Sequence, residues 1–223
     1  MKEQTEEKNT EIGEVISNTE QFIEKNQKTL IIVAAAIVVV VLGFFGLRKF
    51  YFQPRQERAA NEMFAAEQLF GQDQYELALN GNEKFAGFND IIKQYGCTKA
   101  GKLARLYAGE CNLYLGNYDE AMKNLKSYKG KDTFTKAQAL TLMGDCEFEK
   151  DNIDAAIKYY EKSVKAADNL VTTPNALFKE GWAYIAKGNS DKALECFENI
   201  KTNYAGSTEW NDIDKYIGLA KGL

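Results

Sequence analysis

The sequence predicts an all-α protein: a single transmembrane helix near the N-terminus, then a solenoid of helical hairpins with three to four repeats and a capping helix. Three observations carry this. Leu30–Leu47 is an unbroken apolar run, the residues beyond Pro54 have helical rather than strand periodicity, and those later residues repeat at an interval near 35.

The apolar run reads LIIVAAAIVVVVLGFFGL, eighteen residues with no charge or proline. A soluble helix needs one apolar stripe, whereas this one is apolar all round, the pattern of a helix solvated by lipid. At about 1.5 Å per residue it spans roughly 27 Å, close to the hydrocarbon core of a bilayer. Thirteen of the eighteen are Leu, Ile, Val or Phe. Their insertion sums to about −5 kcal/mol with nothing large opposing it. Lys28, Arg48 and Lys49 can extend into headgroups, and Phe50, Tyr51 and Phe52 form an interfacial aromatic cluster. The lipid bilayer is therefore the expected partner of Leu30–Leu47.

A cleaved signal fits poorly. The 29 residues before the run carry seven Glu against four Lys, and Leu47-Arg48-Lys49 offers no small-x-small cleavage site. Cys97 is the first cysteine, so none stands at the end of the run for lipid attachment. The expected divisions are a polar acidic segment at 1–29, an anchor at 30–50 and a domain at 55–223. Ile12, Val15, Ile16, Phe22 and Ile23 give the first segment a weak helical stripe, readable as an interfacial or partner-binding helix or as a frayed segment. A net charge of −4 without a basic run argues against nucleic acid.

Beyond Pro54 only Pro174 interrupts stretches such as AAIKYYEKSVKAA, whose apolar residues fall three and four apart. Three segments align: YAGECNLYLGNYDEAMKNL from Tyr107, LMGDCEFEKDNIDAAIKYY from Leu142 and KEGWAYIAKGNSDKALECF from Lys179. Each has a glycine (Gly109, Gly144, Gly181), an alanine twelve residues on (Ala121, Ala156, Ala193) and a bulky residue four further (Leu125, Tyr160, Phe197). The glycines are 35 and 37 residues apart. Turns fall at Gly116-Asn117-Tyr118, Asp151-Asn152-Ile153 and Gly188-Asn189-Ser190, residues suited to left-handed or turn geometry.

These residues resemble the tetratricopeptide repeat (TPR) family, a helix–turn–helix unit of about 34 residues. The resemblance implies a right-handed solenoid in which Gly109 and Ala121 lie on facing helices and let the backbones approach. A weaker copy precedes the three: MFAAEQLFGQDQYELALNG places Ala66 and Ala78 twelve apart, with 43 residues from Ala66 to Gly109. That long interval predicts an insertion or a lengthened helix. At the far end a helix from about Ser207 to Leu219 is expected to cap the stack, as terminal repeats require.

Catalytic chemistry has little to stand on. The chain has no histidine, the commonest general base and metal ligand. Cys97, Cys111, Cys146 and Cys196 include no C-x-x-C pair, so no zinc or redox motif is present. Cys111 and Cys146 occupy the same slot in successive repeats, which reads as a buried packing position. That slot recurs at roughly 9–10 Å between packed helices, beyond disulfide reach. No phosphate loop, nucleophile elbow or H-E-x-x-H occurs. No cofactor, metal or enzymatic activity is expected.

In TPR proteins the first helix of each pair lines a concave groove. The resemblance therefore implies a partner-binding groove of Leu106, Glu110, Leu113 and Tyr114, then Thr141, Asp145 and Phe148, then Phe178, Trp182 and Ile185. Tyr114, Phe148 and Trp182 are also readable as inter-repeat core. Some family members clamp a peptide's C-terminal carboxylate with Lys, Asn and Arg in these slots. Here Leu106, Glu110, Thr141 and Asp145 stand there, and the acidic pair would repel a carboxylate. Extended or helical segments with apolar anchors and some positive charge fit better.

The layout as a whole, with FIEKNQKTLIIV entering the anchor and RKFYF leaving it, resembles the ancillary TPR subunit family of the bacterial Sec translocon. The tract FNDIIKQYGCTKAGKLARLYAGECNLYLGNYDEA also resembles periplasmic TPR proteins of outer-membrane assembly and cell-division coordination. The resemblance implies a bacterial inner-membrane protein with its repeats in the periplasm. The charge count points the other way: Lys25 and Lys28 precede the anchor, while Arg48, Lys49, Arg55 and Arg58 follow it, which favours cytoplasmic repeats. The periplasmic orientation is the expectation adopted, with the cytoplasmic one kept open. The expected function is a tethered, chaperone-like scaffold receiving protein or peptide segments near the Sec translocon. The alternative is a structural subunit of an envelope assembly complex, its repeats serving as a spacer.

Overall fold

The computed structural model describes the backbone of residues 2–222 and the side chains of residues 25–222. The stripe expected at Ile12, Val15, Ile16, Phe22 and Ile23 lies outside the described side chains. The chain divides into two compact units, residues 1–54 and Arg55–Leu223.

The first unit is helix α1 (Lys2–Leu47) followed by a π-helical turn at Arg48–Phe52. Among the described residues its apolar side chains are largely exposed: Ile32 and Val40 are 68% and 69% exposed. Among the described residues it holds the one helix long and apolar enough to cross a membrane.

The second unit is a stack of antiparallel helical hairpins. Helices α5 (Lys99–Tyr114) and α6 (Tyr118–Ser127), α7 (Thr133–Glu149) and α8 (Ile153–Ala166), and α9 (Thr172–Ala186) and α10 (Ser190–Asn203) form three regular pairs. Ahead of them stand α2 (Gln53–Phe70), α3 (Tyr75–Asn80) and α4 (Phe88–Tyr95), and α11 (Ile213–Lys221) packs on α10.

One turn geometry recurs in all four copies. Asp73, Gly116, Asp151 and Gly188 have φ of 58°, 77°, 60° and 77°, the left-handed conformation that ends a helix. The residue after each, Gln74, Asn117, Asn152 or Asn189, starts the next helix with φ between −109° and −86°. The weak first copy therefore has the same joint as the strong ones.

The glycines expected at helix–helix contacts are pressed by the bulky residue sixteen positions later. A Cβ on Gly109 would meet Leu125 at 2.6 Å, on Gly144 the Tyr160 ring at 2.4 Å, and on Gly181 the Phe197 ring at 2.5 Å. Each large side chain fills the space that its glycine leaves open, and Leu125, Tyr160 and Phe197 are almost wholly buried. Cys111 and Cys146 are buried free thiols in equivalent slots.

The long interval in the first copy is an insertion. Helix α3 stops after six residues at Gly81, whose φ of 69° breaks it. A two-residue antiparallel bridge follows, pairing Gly81 with Ala86 and Asn82 with Phe85. Phe88 then enters the core, fully buried and stacked on Tyr107 at 5.0 Å.

The cap begins later than the sequence suggests. Residues Glu209–Asp212 form a 3-10 turn and the α-helix starts at Ile213 rather than near Ser207. Ser207, itself buried, accepts a hydrogen bond from the Trp210 backbone through its hydroxyl, and the Trp210 indole donates to the Lys201 carbonyl. Those two bonds hold the tighter turn.

Candidate partner-binding groove

The first helices of the three regular hairpins, α5, α7 and α9, line two adjoining hollows of about 460 and 400 Å³. Glu110, Leu113 and Tyr114 come from α5. Helix α7 contributes Phe134, Gln138, Thr141 and Asp145 to one hollow and Asp145 and Phe148 to the other. Asn175, Phe178, Lys179 and Trp182 come from α9. Thr208, Glu209, Asp212 and Tyr216 close the far end.

Asp145 is the centre of the polar floor. Its Oδ2 lies 2.6 Å from Lys179 Nζ, and its Oδ1 accepts a hydrogen bond from the Tyr160 hydroxyl at 2.8 Å. Glu110 is half-buried beside it and accepts long hydrogen bonds from Tyr114 and Gln138, at 3.5 and 3.4 Å. Burial pushes its carboxyl above the usual range, offset in part by the Tyr114 hydroxyl and the Lys179 charge. At the far end Asn175 donates to Glu209 at 3.1 Å. Four carboxylates, Glu110, Asp145, Glu209 and Asp212, face one ammonium, so the lining is net acidic.

Aromatic rings form the walls. Phe178 lies 4.7 Å from Tyr216 and 6.4 Å from Trp182, in edge-on geometry, and Trp182 stays 36% exposed. At the opposite end Tyr114 is exposed and stacks on Tyr75 of α3 at 4.5 Å. Such rings offer large apolar surface with little entropy to lose.

Of the residues named from sequence, Glu110, Leu113, Tyr114, Thr141, Asp145, Phe148, Phe178 and Trp182 meet in these hollows. Thr141 is only 5% exposed, and its hydroxyl is engaged by Ser163 at 2.8 Å, so it offers a floor rather than a free donor. Two residues are corrections. Leu106 is a core side chain, 2% exposed, packed with Leu125, Ala139 and Leu142 because α7 covers that side of α5. Ile185 packs into the cluster of Phe197, Ile200 and Ile217 under the cap and lines neither hollow.

Phe134, Gln138, Asn175 and Lys179 also line the groove. Their signal was legible: 134, 138, 141, 145 and 148 are one face of a helix, and 175, 179 and 182 another. Glu209, Asp212 and Tyr216 left no such signal, because the 3-10 turn and the cap break the repeat.

The fold and groove define a helical-hairpin repeat protein with an open concave face. Residues 135–200 and 103–132 each match the tetratricopeptide repeat family. Both matches fall on the three regular hairpins. A TPR repeat-containing protein of Methanocaldococcus jannaschii is 35% identical over 80 residues, covering 36% of this chain and 13% of that protein. Response regulator aspartate phosphatase E of Bacillus subtilis is 26% identical over 119 residues, covering 46% and 32%. The chain thus spans a third or less of either curated relative. The crystal structure of MamA protein superposes with a TM-score of 0.57 at 23% identity, over 75% of this chain and 84% of that one, a likeness of fold.

Proposed function

We propose that this chain is a membrane-tethered, non-catalytic scaffold whose groove holds extended or helical protein segments carrying apolar anchors and positive charge. The observation that carries this is the pairing of a net-acidic floor at Glu110, Asp145 and Glu209 with the aromatic wall of Phe178, Trp182 and Tyr216. Apolar side chains of a segment would bury against the rings while its lysines or arginines meet the carboxylates. The acidic lining at Glu110 and Asp145 disfavours a carboxylate terminus.

The apolar run Leu30–Leu47 supports a single-pass anchor. Together with RKFYF and the compact repeat stack, that layout supports a chaperone-like role near the Sec translocon in envelope protein biogenesis, with the repeats periplasmic. A tether raises the effective concentration of the groove for any chain emerging at the same membrane.

The test is a titration of the full chain with a synthetic peptide alternating leucine, phenylalanine and lysine, followed by tryptophan emission. Binding that weakens with salt, and weakens further in Trp182→Ala and Glu209→Lys, is expected. Equal affinity for a peptide with glutamate in place of lysine would sink the reading.

A further inference from the structure

Seven lysines of the repeat domain, Lys123, Lys150, Lys179, Lys187, Lys192, Lys201 and Lys221, are paired with carboxylates. Lys99, Lys102, Lys129 and Lys131 are not among them. They surround a separate hollow of about 670 Å³ between the start of α5 and the α6–α7 loop, floored by Leu103 and Tyr128.

The one carboxylate there is occupied. Asp132 caps α7, accepting from the Thr135 amide at 2.8 Å and the Thr135 hydroxyl at 2.5 Å. Four ammonium groups therefore face one engaged carboxylate, in a chain whose net charge is −4. The loop that presents two of them is held in place. Gly130 lies so close over the Tyr128 phenol that a Cβ would sit 1.8 Å from its hydroxyl, and that hydroxyl shares a hydrogen bond with Thr135.

The hollow is also tied to the start of the domain. The Lys99 amide donates to the Gln56 side chain at 2.7 Å, and Gln56 lies nine residues beyond Leu47 along the chain.

We propose that this hollow binds the phosphate headgroups of anionic lipids, the four lysines meeting the charge and Leu103 and Tyr128 meeting the glycerol backbone. The inference rests on the reading of Leu30–Leu47 as a membrane anchor. A short tether holds the site at high effective concentration near a bilayer surface, which a soluble anion lacks. Lysines near such a surface each contribute roughly fivefold in binding, an effect that salt removes.

The experiment uses the full chain in lipid nanodiscs of phosphatidylcholine alone or with one-third phosphatidylglycerol, with lysine acylation read by mass spectrometry. Severalfold protection of Lys99, Lys102, Lys129 and Lys131 in anionic discs is expected, with Lys158 and Lys215 unchanged and protection lost in high salt. In Lys129→Glu/Lys131→Glu, checked for helix content, protection of Lys99 and Lys102 should vanish. Equal reactivity in both discs overturns the proposal and leaves the anchor standing. Protection by soluble glycerol phosphate in neutral discs, or by polyglutamate, without protection by anionic lipid overturns it in favour of a free anion or an acidic protein. Failure to enter discs of either lipid overturns the anchor and the proposal together.

Discussion

Lys179 Nζ and Asp145 Oδ2, 2.6 Å apart, join α9 to α7 across the floor of the groove. Asp145 is only 13% exposed while Lys179 is 35% exposed, so the pair sits at the edge of solvent. Removing the ammonium leaves a largely covered carboxylate with the Tyr160 hydroxyl as its remaining donor. Lys179→Met is expected to destabilise the domain by about 1–2 kcal/mol, less than a fully buried pair would lose. The same change makes the lining more acidic, so the lysine-rich peptide should bind more tightly. Urea denaturation and the peptide titration check the two opposite shifts.

Gly144→Ala places a methyl against the Tyr160 ring, where the gap is 2.4 Å. A destabilisation of about 1–3 kcal/mol is expected from overpacking. Combining it with Tyr160→Leu, the residue type that faces Gly109, should cost less than the sum of the two single changes. Additive losses in thermal unfolding would show that the glycine is not there for the ring.

Glu180 is buried on α9, and burial raises its carboxyl from 4.5 to about 7, with the Glu161 charge adding to the rise. Cys196, Lys165 and Lys192 pull it back. A raised carboxyl favours the folded state fully below about pH 4.5, and that contribution is lost as pH climbs through about 7. Over that window the loss amounts to up to about 3 kcal/mol. Glu180→Gln should therefore unfold at a higher temperature than the parent at pH 8 and at nearly the same temperature at pH 4.5.

Cys97 is exposed, while Cys111, Cys146 and Cys196 are buried. Burial pushes the Cys111 and Cys146 thiols up to about 12 and moves Cys196 the same way. One thiol should react with a maleimide in the native chain and four after unfolding. In intact cells a reagent that passes only the outer membrane should label Cys97 if the repeats are periplasmic. Labelling only after lysis would favour the charge count around the anchor instead.

Much of this fold was legible because a repeat protein states each constraint several times. Gly109, Gly144 and Gly181 stand at one interval, and each is pressed by the large residue that the spacing predicts. The groove was harder to read. Leu106 and Glu110 are one helical turn apart, and only the position of α7 decides that the first is fully covered and the second half-covered. Phe134 and Gln138 share a face with Asp145, so periodicity alone contained them. The lysine hollow brings Lys99 and Lys102 beside Lys129 and Lys131, which no local pattern joins. The Gly81–Ala86 insertion showed as an interval too long for one repeat, without revealing the bridge that fills it.

The common joint at Asp73, Gly116, Asp151 and Gly188 has a consequence for how such a protein can change length. Each hairpin is folded back on itself by the same backbone bend, whatever side chains surround it. A copied hairpin spliced in phase would bring its own turn and its own glycine-to-bulky-residue contact with it, and the groove would grow by one module. Reach along a client is then set in whole steps, by counting modules.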